Sequence, residues 1–205
     1  NPLQAVQNSL HLARHQELNA EKRQSFLDMA QNEVNRLIQI VRRMLDFYRP
    51  SSTTQTLNLN RPVEDALAIA RKRLEQSHVE VDARLAPDLP PVKGTSNQLT
   101  QVFLNVVINA IEAMPDGGKL WVATTHHTQR HEVIAAFRDN GPGIEPEIRT
   151  HLFEPFHTSK DTGTGLGLAI SYSIIERHNG TIAVENVPEG GTAFIIRLPE
   201  YREDT

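Results

Sequence analysis

The chain has 205 residues, of which 22% are charged, and a formal net charge of −4 at pH 7, so it suits one large domain or two small ones with a buried core. Lysine and arginine are scattered along the chain, which argues against a nucleic-acid partner. Cysteine is absent, which excludes disulfides and thiolate metal sites and fits a cytoplasmic compartment, and no apolar run reaches the roughly 18 residues that span a bilayer.

The first 49 residues are predicted to form two helices. They contain no glycine, and a polar break at residues 15–19 divides them. The second helix, over about residues 20–48, repeats apolar side chains at steps of three and four, close to a heptad seam. A hairpin of this size cannot bury both seams alone, so we expect a homodimer in which residues 1–49 of two copies form a four-helix bundle. The alternative is that the hairpin packs on the rest of the chain.

Residues 50–56 are polar, include a proline and lack apolar periodicity, so they are predicted to be a linker. Residues 200–205 are predicted to be a tail. Between them, residues 57–199 alternate apolar patterns typical of helices with patterns typical of strands. Helices are predicted at about 62–74, 96–114 and 165–177, strands at 57–59, 79–85, 120–125, 132–137, 181–185 and 193–198, and mostly loop at 140–164. This order predicts an α+β fold, a two-layer α/β sandwich of one mixed sheet with helices on one face.

The helix predicted from Ser96 carries two asparagines amid apolar residues. Thr95 and Gln98 match a capping box at its start. Asn105 and Asn109 lie one turn apart on the same helix face. Asparagine is a poor helix former and a poor core residue, so the pair needs partners. Either the two amides are satisfied within the fold, or they form one wall of a ligand site, where an amide oxygen suits Mg²⁺.

The segment Asp-Asn-Gly-Pro-Gly at residues 139–143 directly follows a predicted strand. A carboxylate at Asp139 can accept a hydrogen bond from an amino group such as that of adenine. Gly141 and Gly143 lack a Cβ atom and let a planar base approach the backbone. The alternative interpretation is an ordinary Asp-Gly turn.

The segment Asp161–Ile170 combines glycines with the start of a helix. Backbone amides at Gly163, Gly165 and Gly167 can approach an anion closely, and the helix directs its free N–H groups at the same place. No Gly-Lys-Ser/Thr follows, which excludes a Walker A loop, and Leu168 stands at the third glycine position of the Rossmann fingerprint. The segment predicts a phosphate cradle, with an ordinary glycine-rich turn as the alternative.

The loop before this cradle contains three further candidates. Phe153 and Phe156 place two aromatic rings there, either to clamp the loop onto a ligand or to anchor it. Lys160 lies three residues before Gly163 and can reach a terminal phosphate. An exposed, solvated lysine is the equally simple alternative.

In this order and spacing, the segments resemble the catalytic, ATP-binding domain of sensor histidine kinases, within the superfamily that includes DNA gyrase and MutL-type ATPases. Residues 101–113 resemble the N box, 139–143 and 163–167 the two glycine boxes, 153–156 the F box, and Gly191-Thr192 the closing glycine motif. The resemblance implies ATP and Mg²⁺ as cofactors, with residues 144–164 as a short ATP lid.

The resemblance also implies a role for each matched residue. Asn109 is expected to be the Mg²⁺ ligand, Asn105 to line the phosphate site, and Asp139 to bind the adenine amino group. The further nucleotide contacts are expected at Gly141, Gly143, Phe153, Phe156, Lys160, Gly163, Thr164, Gly165, Leu166, Gly167 and Thr192.

One residue separates branches of this superfamily. Hydrolytic members carry glutamate at the position of Asn105, as a base for the attacking water. An asparagine cannot take up a proton at neutral pH. The site therefore suits transfer of the phosphoryl group to a better nucleophile, such as a neutral imidazole. Catalysis is then positioning and charge neutralisation, by Mg²⁺, helix N–H groups and Lys160.

Residues 1–49 resemble the dimerisation and phosphotransfer hairpin of the same family, with one departure. The family's H box reads His-Glu-x-x-Asn/Thr-Pro-Leu, and this chain begins with Asn1-Pro2-Leu3. The acceptor histidine is therefore expected one helical turn before residue 1. His11 and His15 match no acceptor position and are interpreted as surface residues. Asn1 matches the position that assists dephosphorylation of the partner response regulator.

We therefore expect a two-component sensor histidine kinase core. It would bind Mg-ATP, transfer the γ-phosphoryl group to a histidine upstream of residue 1, and pass it to an aspartate of a response-regulator receiver domain. An ATP hydrolase of the same fold is an alternative that Asn105 disfavours. A non-catalytic dimeric adaptor is another, which Asn109 and Asp139 disfavour. Because the chain begins without methionine, we expect a sensor region, with or without a membrane segment, to precede it.

Overall fold

A computed structural model describes residues 2–15, 19–48, 54–155 and 165–202 of the chain. The chain divides into two compact units, residues 1–50 and 51–205. Residues 50–53 of the predicted linker lie outside the described residues. Among the described residues, no helix is both long and apolar enough to cross a bilayer.

The first unit consists of two helices that pack against each other, α1 (Pro2–Ala13) and α2 (Ala20–Tyr48). Asn19 starts the second helix, because its side-chain oxygen accepts a hydrogen bond from the Lys22 amide at 2.8 Å, as N-cap residues do. Among the side chains described in this unit, only Ala13 and Ala30 are buried apolar residues. The predicted helical hairpin is confirmed.

The second unit contains the remaining elements. Its helices are α3 (Asn60–Gln76), α4 (Ser96–Ala113), α5 (Pro146–Thr150) and α6 (Gly167–Arg177). Its strands are β1 (Gln55–Leu57), β2 (Val79–Leu85), β3 (Val92–Gly94), β4 (Gly118–His127), β5 (Glu132–Asp139), β6 (Thr181–Asn186) and β7 (Thr192–Pro199).

Five strands form one sheet in the order β2-β4-β5-β7-β6. β2 and β4 are parallel, and the other neighbours are antiparallel. β1 and β3 form a separate antiparallel pair. α3, α4 and α6 pack in one layer against the sheet, and β5 alternates buried with half-buried residues, as a strand covered on one face does. The predicted two-layer sandwich of a mixed sheet with helices on one face is confirmed.

Helix α4 lies at the centre of the helical layer. Phe103 of α4 stacks on Phe137 of β5 with ring centroids 5.5 Å apart, and both rings are buried. The buried side chains of the helix are Leu99, Val102, Phe103, Val106, Val107, Ala110 and Ile111. Each large apolar side chain buried in this way contributes about 1.5–3 kcal/mol. This packing fixes the rotation of α4 and, with it, the placement of Asn105 and Asn109.

The structure differs from the sequence-based elements in five places. β3 and α5 fall in segments without a predicted element, and β1 begins at Gln55, within the predicted linker. Thr95 has the extended conformation of an N-cap residue, but its side chain makes no capping hydrogen bond, so the expected capping box is absent. In the predicted tail, the amides of Glu200 and Tyr201 donate to carbonyl groups at 2.8 and 2.7 Å.

Candidate functional site

The segments singled out in the sequence converge around helix α4. The helix packs on α6, and near its middle the Asn105 side chain donates to the Gly167 carbonyl. At its C-terminal end, a Cβ atom added at Gly141 would lie 3.1 Å from the Ala113 carbonyl oxygen. Eight residues of helix rise by about 12 Å, so α4 forms one wall between the start of α6 and the turn after β5.

Asp139 ends strand β5 and is only 3% exposed. Its Oδ1 atom accepts hydrogen bonds from the amides of Gly141 at 2.9 Å and Thr192 at 3.1 Å. Burial raises the pKa of this carboxyl group, and the backbone N–H donors oppose that rise. Its Oδ2 atom accepts no hydrogen bond from the described residues. The side chain is therefore held at one oxygen and offers the other to a donor such as an amino group.

Two glycines allow the backbone to close around Asp139. Gly191 has a φ of +96°, and a Cβ atom there would overlap the Asp139 carbonyl oxygen. Gly143 has a φ of +83°, and a Cβ atom there would lie 3.3 Å from the Asn186 side chain. Both positions lie in the left-handed region, which glycine tolerates without strain.

Asn186 was not predicted from the sequence. Its Oδ1 accepts from the Ile144 amide at 2.9 Å, and its Nδ2 donates to the Ile144 carbonyl at 2.7 Å. The side chain thus pairs with the backbone directly after Gly143, as a neighbouring strand would, and fixes the turn. An asparagine at a strand end gives no sequence signal for a partner 42 residues away.

Asn105 and Asn109 differ in their surroundings. The Nδ2 atom of Asn105 donates to the carbonyl of Gly167 and to the hydroxyl of Ser171, both at 3.1 Å. Asn109 is half-buried, and its side chain makes no hydrogen bond to the described residues. Asn105 is therefore tied to α6, whereas Asn109 is available to a ligand. Ser171 was also missed from the sequence, because it lies within an apolar helix pattern.

The start of α6 has the form expected of an anion site. Gly165 has a φ of +64°, Leu166 is buried, and the helix begins at Gly167. Within the described residues, no side chain caps this end, so the first amides are free for a ligand. Phe153 lies against Tyr172 of α6 with ring centroids 5.5 Å apart.

Five predicted site residues lie outside the described residues: Asn1, Phe156, Lys160, Gly163 and Thr164. Their roles stay predictions. Of the others, Phe153 lies against Tyr172 of α6, and the structure places the rest in one site with two ends. The first end holds Asp139, Gly141, Gly143 and Thr192, and the second holds Asn105, Gly165, Leu166 and Gly167, with Asn109 on the helix between them.

The site can be tested for its fit to a magnesium nucleotide. Within the described part of the chain, the half-buried Asn109 amide has no hydrogen-bond partner and no side chain caps α6. Both features suit a cation shared with phosphate groups. The described residues contain no group of three or more His, Cys, Asp or Glu side chains that could hold a metal. A cation at Asn109 would therefore take most of its ligands from phosphate and water, as Mg²⁺ commonly does. The residues present fit such a ligand.

Two family models match the chain. Residues 94–202 match the "Histidine kinase-, DNA gyrase B-, and HSP90-like ATPase" family. Residues 1–53 match the "His Kinase A (phospho-acceptor) domain". The first match covers the α4 wall, the turn after β5 and the start of α6, and the second covers the helical hairpin.

Individual proteins are similar over nearly the whole chain. Signal transduction histidine-protein kinase AtoS of Escherichia coli (strain K12) is 34% identical over 97% of this chain and 33% of that protein. Sensory histidine kinase/phosphatase NtrB of Azospirillum brasilense is 31% identical over 99% of this chain and 53% of that protein. A solved structure of histidine kinase ThkA in complex with response regulator protein TrrA has a TM-score of 0.75 at 25% identity, covering 98% of this chain and 58% of that one. The chain thus spans a third to a half of these curated relatives.

Proposed function

Because the chain belongs to the sensor histidine kinases, with a phospho-acceptor segment followed by an ATPase-type domain, we propose that it binds Mg-ATP and transfers the γ-phosphoryl group to a histidine. The observation that carries this proposal is the pairing of two features in one site. At one end lies the buried Asp139 carboxylate, whose Oδ2 atom accepts no hydrogen bond from the described residues. At the other end, Asn105 lies beside the start of α6, which no described side chain caps, and Asn109 lies between the two ends.

Adenine binding is assigned to the end of the site at Asp139. The Oδ2 atom of this carboxylate accepts a hydrogen bond from the exocyclic amino group, while Oδ1 stays with the amides of Gly141 and Thr192. Hydrogen bonds to a charged group contribute about 1.5–3 kcal/mol. Guanine carries a carbonyl oxygen at this position and would meet a second acceptor, so the same contact selects adenine.

Phosphate binding is assigned to the start of α6. The amides at Gly165 and Gly167 donate to phosphate oxygens, and Lys160 adds a positive charge from the lid. Asn109 supplies an oxygen ligand to Mg²⁺, which when bound neutralises charge on the phosphate groups. Asn105 has no proton-accepting group at neutral pH and does not activate water.

In the transfer step, a neutral imidazole nitrogen attacks the γ-phosphorus. A P–N bond forms, the bond from the γ-phosphorus to the bridging oxygen breaks, and ADP leaves with that electron pair. The phosphoryl group then passes to an aspartate of a response-regulator receiver domain. The acceptor histidine lies upstream of Asn1, and Asn1 itself acts in dephosphorylation of the regulator.

A homodimer formed by residues 1–49 brings the acceptor helices together in a cytoplasmic four-helix bundle. Leu10, Leu12, Leu27 and Met29 are large apolar side chains that a single hairpin leaves exposed. A second hairpin packed on them would close the bundle. The match of residues 1–53 to the phospho-acceptor domain family supports this use of the unit.

Transfer can be measured with γ-labelled ATP on the full-length protein, with its native upstream helix. We expect acid-labile, base-stable label that disappears when the upstream histidine is replaced. Asn109→Ala should keep nucleotide binding but lose most Mg²⁺-dependent labelling. Asn97→Ala, an exposed asparagine on the same helix, is the matched control and should label normally.

The other outcomes of this assay would indicate a different function or a different role for Asn109. Steady release of free phosphate without label would indicate a hydrolase of the same fold. Neither label nor phosphate, together with no binding of millimolar Mg-ATP, would indicate a dimeric adaptor with a silent nucleotide site. Normal labelling by Asn109→Ala would remove the magnesium role from that residue.

A further inference from the structure

Ser171 is a fully buried hydroxyl in the second turn of α6, at 0% exposure. It donates to the carbonyl of Gly167, one turn earlier, at 2.9 Å. The end of the Asn105 side chain lies 3.1 Å from both of these oxygen atoms. The Asn105 amide, the Ser171 hydroxyl and the Gly167 carbonyl therefore meet in one part-buried cluster. Of these three groups, only the Asn105 amide has a role in the proposed function.

The chemistry of the cluster fixes which way the Asn105 amide faces. A carbonyl group can only accept, so Gly167 requires a donor. The single proton of the Ser171 hydroxyl is used on Gly167, so this hydroxyl offers Asn105 a lone pair. Because both neighbours accept, the amide atom between them is the nitrogen. Its Oδ1 atom accepts no hydrogen bond from the described residues and is the part of the amide left for a ligand.

An amide fixed in this way presents an acceptor to its ligand. Phosphate oxygens are acceptors themselves and need donors, so they are not suited to Oδ1. A cation, or a water molecule bound to it, is suited. We propose that Ser171 is a positioning residue: it holds Asn105 with its oxygen turned to Mg²⁺ or a magnesium-bound water, rather than to phosphate. This inference rests on the proposed function and deepens its account of Asn105.

The same cluster disfavours a carboxylate at position 105. An aspartate or glutamate there would face the Gly167 carbonyl without a proton to share, and two acceptors in contact repel each other. Ser171 can turn its proton toward a carboxylate, but the backbone carbonyl cannot. The packing of α6 on α4 thus selects an amide over the carboxylate that a hydrolytic site would need.

The orientation can be measured directly in the unmodified protein. With ¹⁵N-labelled asparagine, the side-chain NH₂ of Asn105 should exchange slowly with water, because both protons are held in hydrogen bonds, one of them to the buried Ser171 hydroxyl. In Ser171→Ala that protection should fall. Rapid exchange in the unmodified, folded protein would overturn the assignment, whether or not the variant folds.

In Ser171→Ala, we expect a change only in the part of nucleotide affinity that depends on Mg²⁺. Binding of a fluorescent ATP analogue is measured with Mg²⁺ and with EDTA. Losing one neutral hydrogen bond should reduce the gain in affinity from Mg²⁺ roughly 2- to 12-fold in Ser171→Ala, with the EDTA value unchanged. Ser171→Thr keeps a hydroxyl and should restore the gain. Ser173→Ala, on the same helix, is the matched control.

The outcomes separate this inference from the function on which it rests. If Ser171→Ala loses nucleotide affinity equally with Mg²⁺ and with EDTA, Ser171 is a purely structural residue. If the gain in affinity from Mg²⁺ is unchanged in this variant, Ser171 does not position Asn105 for Mg²⁺. Both results leave ATP binding by the unmodified protein intact. If the unmodified protein fails to bind Mg-ATP, the proposed function and this inference fall together.

Discussion

Replacing Asp139 by asparagine separates its structural role from its proposed role toward adenine. Asparagine has nearly the same shape and keeps an oxygen that can accept from the amides of Gly141 and Thr192. In the unmodified protein these two amides lie 2.9 and 3.1 Å from Asp139 Oδ1. In place of Oδ2 asparagine carries an NH₂ group, which cannot accept from the adenine amino group. The fold should survive while the base contact is lost.

The size of the loss follows from the hydrogen bond that is removed. A bond to a charged group contributes about 1.5–3 kcal/mol, so Asp139→Asn should weaken ATP binding by about 10- to 150-fold. GTP offers a carbonyl oxygen where ATP has the amino group, so its affinity should fall less or rise. Titration of both nucleotides by calorimetry measures the two affinities in one protein.

Asp139→Ala is the less informative variant. It leaves the amides of Gly141 and Thr192 without their acceptor, at a cost of about 1–3 kcal/mol each. The total approaches the stability of a marginal domain, so lost binding would be confused with unfolding. Unchanged ATP affinity in folded Asp139→Asn would refute the assignment of this carboxylate to adenine.

Asp139→Asn should also change how the stability of the protein depends on pH. Burial raises the pKa of Asp139, so the folded state holds its proton more tightly than the unfolded state does. The group's contribution to stability therefore declines as pH rises from the ordinary carboxyl pKa through the raised one. Asp139→Asn avoids this cost, so it should resist urea better than the unmodified protein near neutral pH. The difference should close in acid, where the carboxyl group is protonated in both states.

Two further substitutions test the packing that supports the site. Gly191→Ala should cost more than about 2 kcal/mol in urea unfolding, because its Cβ atom would overlap the Asp139 carbonyl in addition to the strain of a positive φ. Gly190→Ala has a similar φ but open space around its Cβ atom, so a loss as large as that of Gly191→Ala would refute the overlap. His178→Phe should cost about 1–3 kcal/mol, because the Thr95 amide donates to its Nε2 atom at 3.0 Å in a buried position. Unchanged hydrogen exchange of the Thr95 amide would contradict that reasoning.

The elements predicted from sequence are those with a long, regular apolar pattern. Helix α4 and strand β5 each repeat buried positions over several residues, and that repetition is what a sequence shows. β3 has three residues and α5 has five, too few for either period to be visible. For α5, Pro146 near its first position was the one available signal.

The site was predictable where its chemistry requires unusual residue types. Asparagines in an apolar helix and glycines after a strand stand out, and they led to Asn109, Asp139 and Gly167. Ser171 and Asn186 do not stand out, because serine and asparagine are ordinary at those positions. Their partners lie 66 and 42 residues away, so their roles depend on which elements the fold brings together.

Position 105 shows why the residue type alone describes the site incompletely. From sequence, an asparagine there means only that a base for water is missing. In the fold, the Gly167 carbonyl also makes the surroundings unsuitable for that base, because a carboxylate has no proton to share with it. Changing Asn105 to a carboxylate would therefore not by itself create a hydrolytic site, since the new side chain would be repelled from the position it must occupy. In the proposed function, the packing of α6 on α4 therefore favours transfer over hydrolysis, in addition to the amide at position 105 itself.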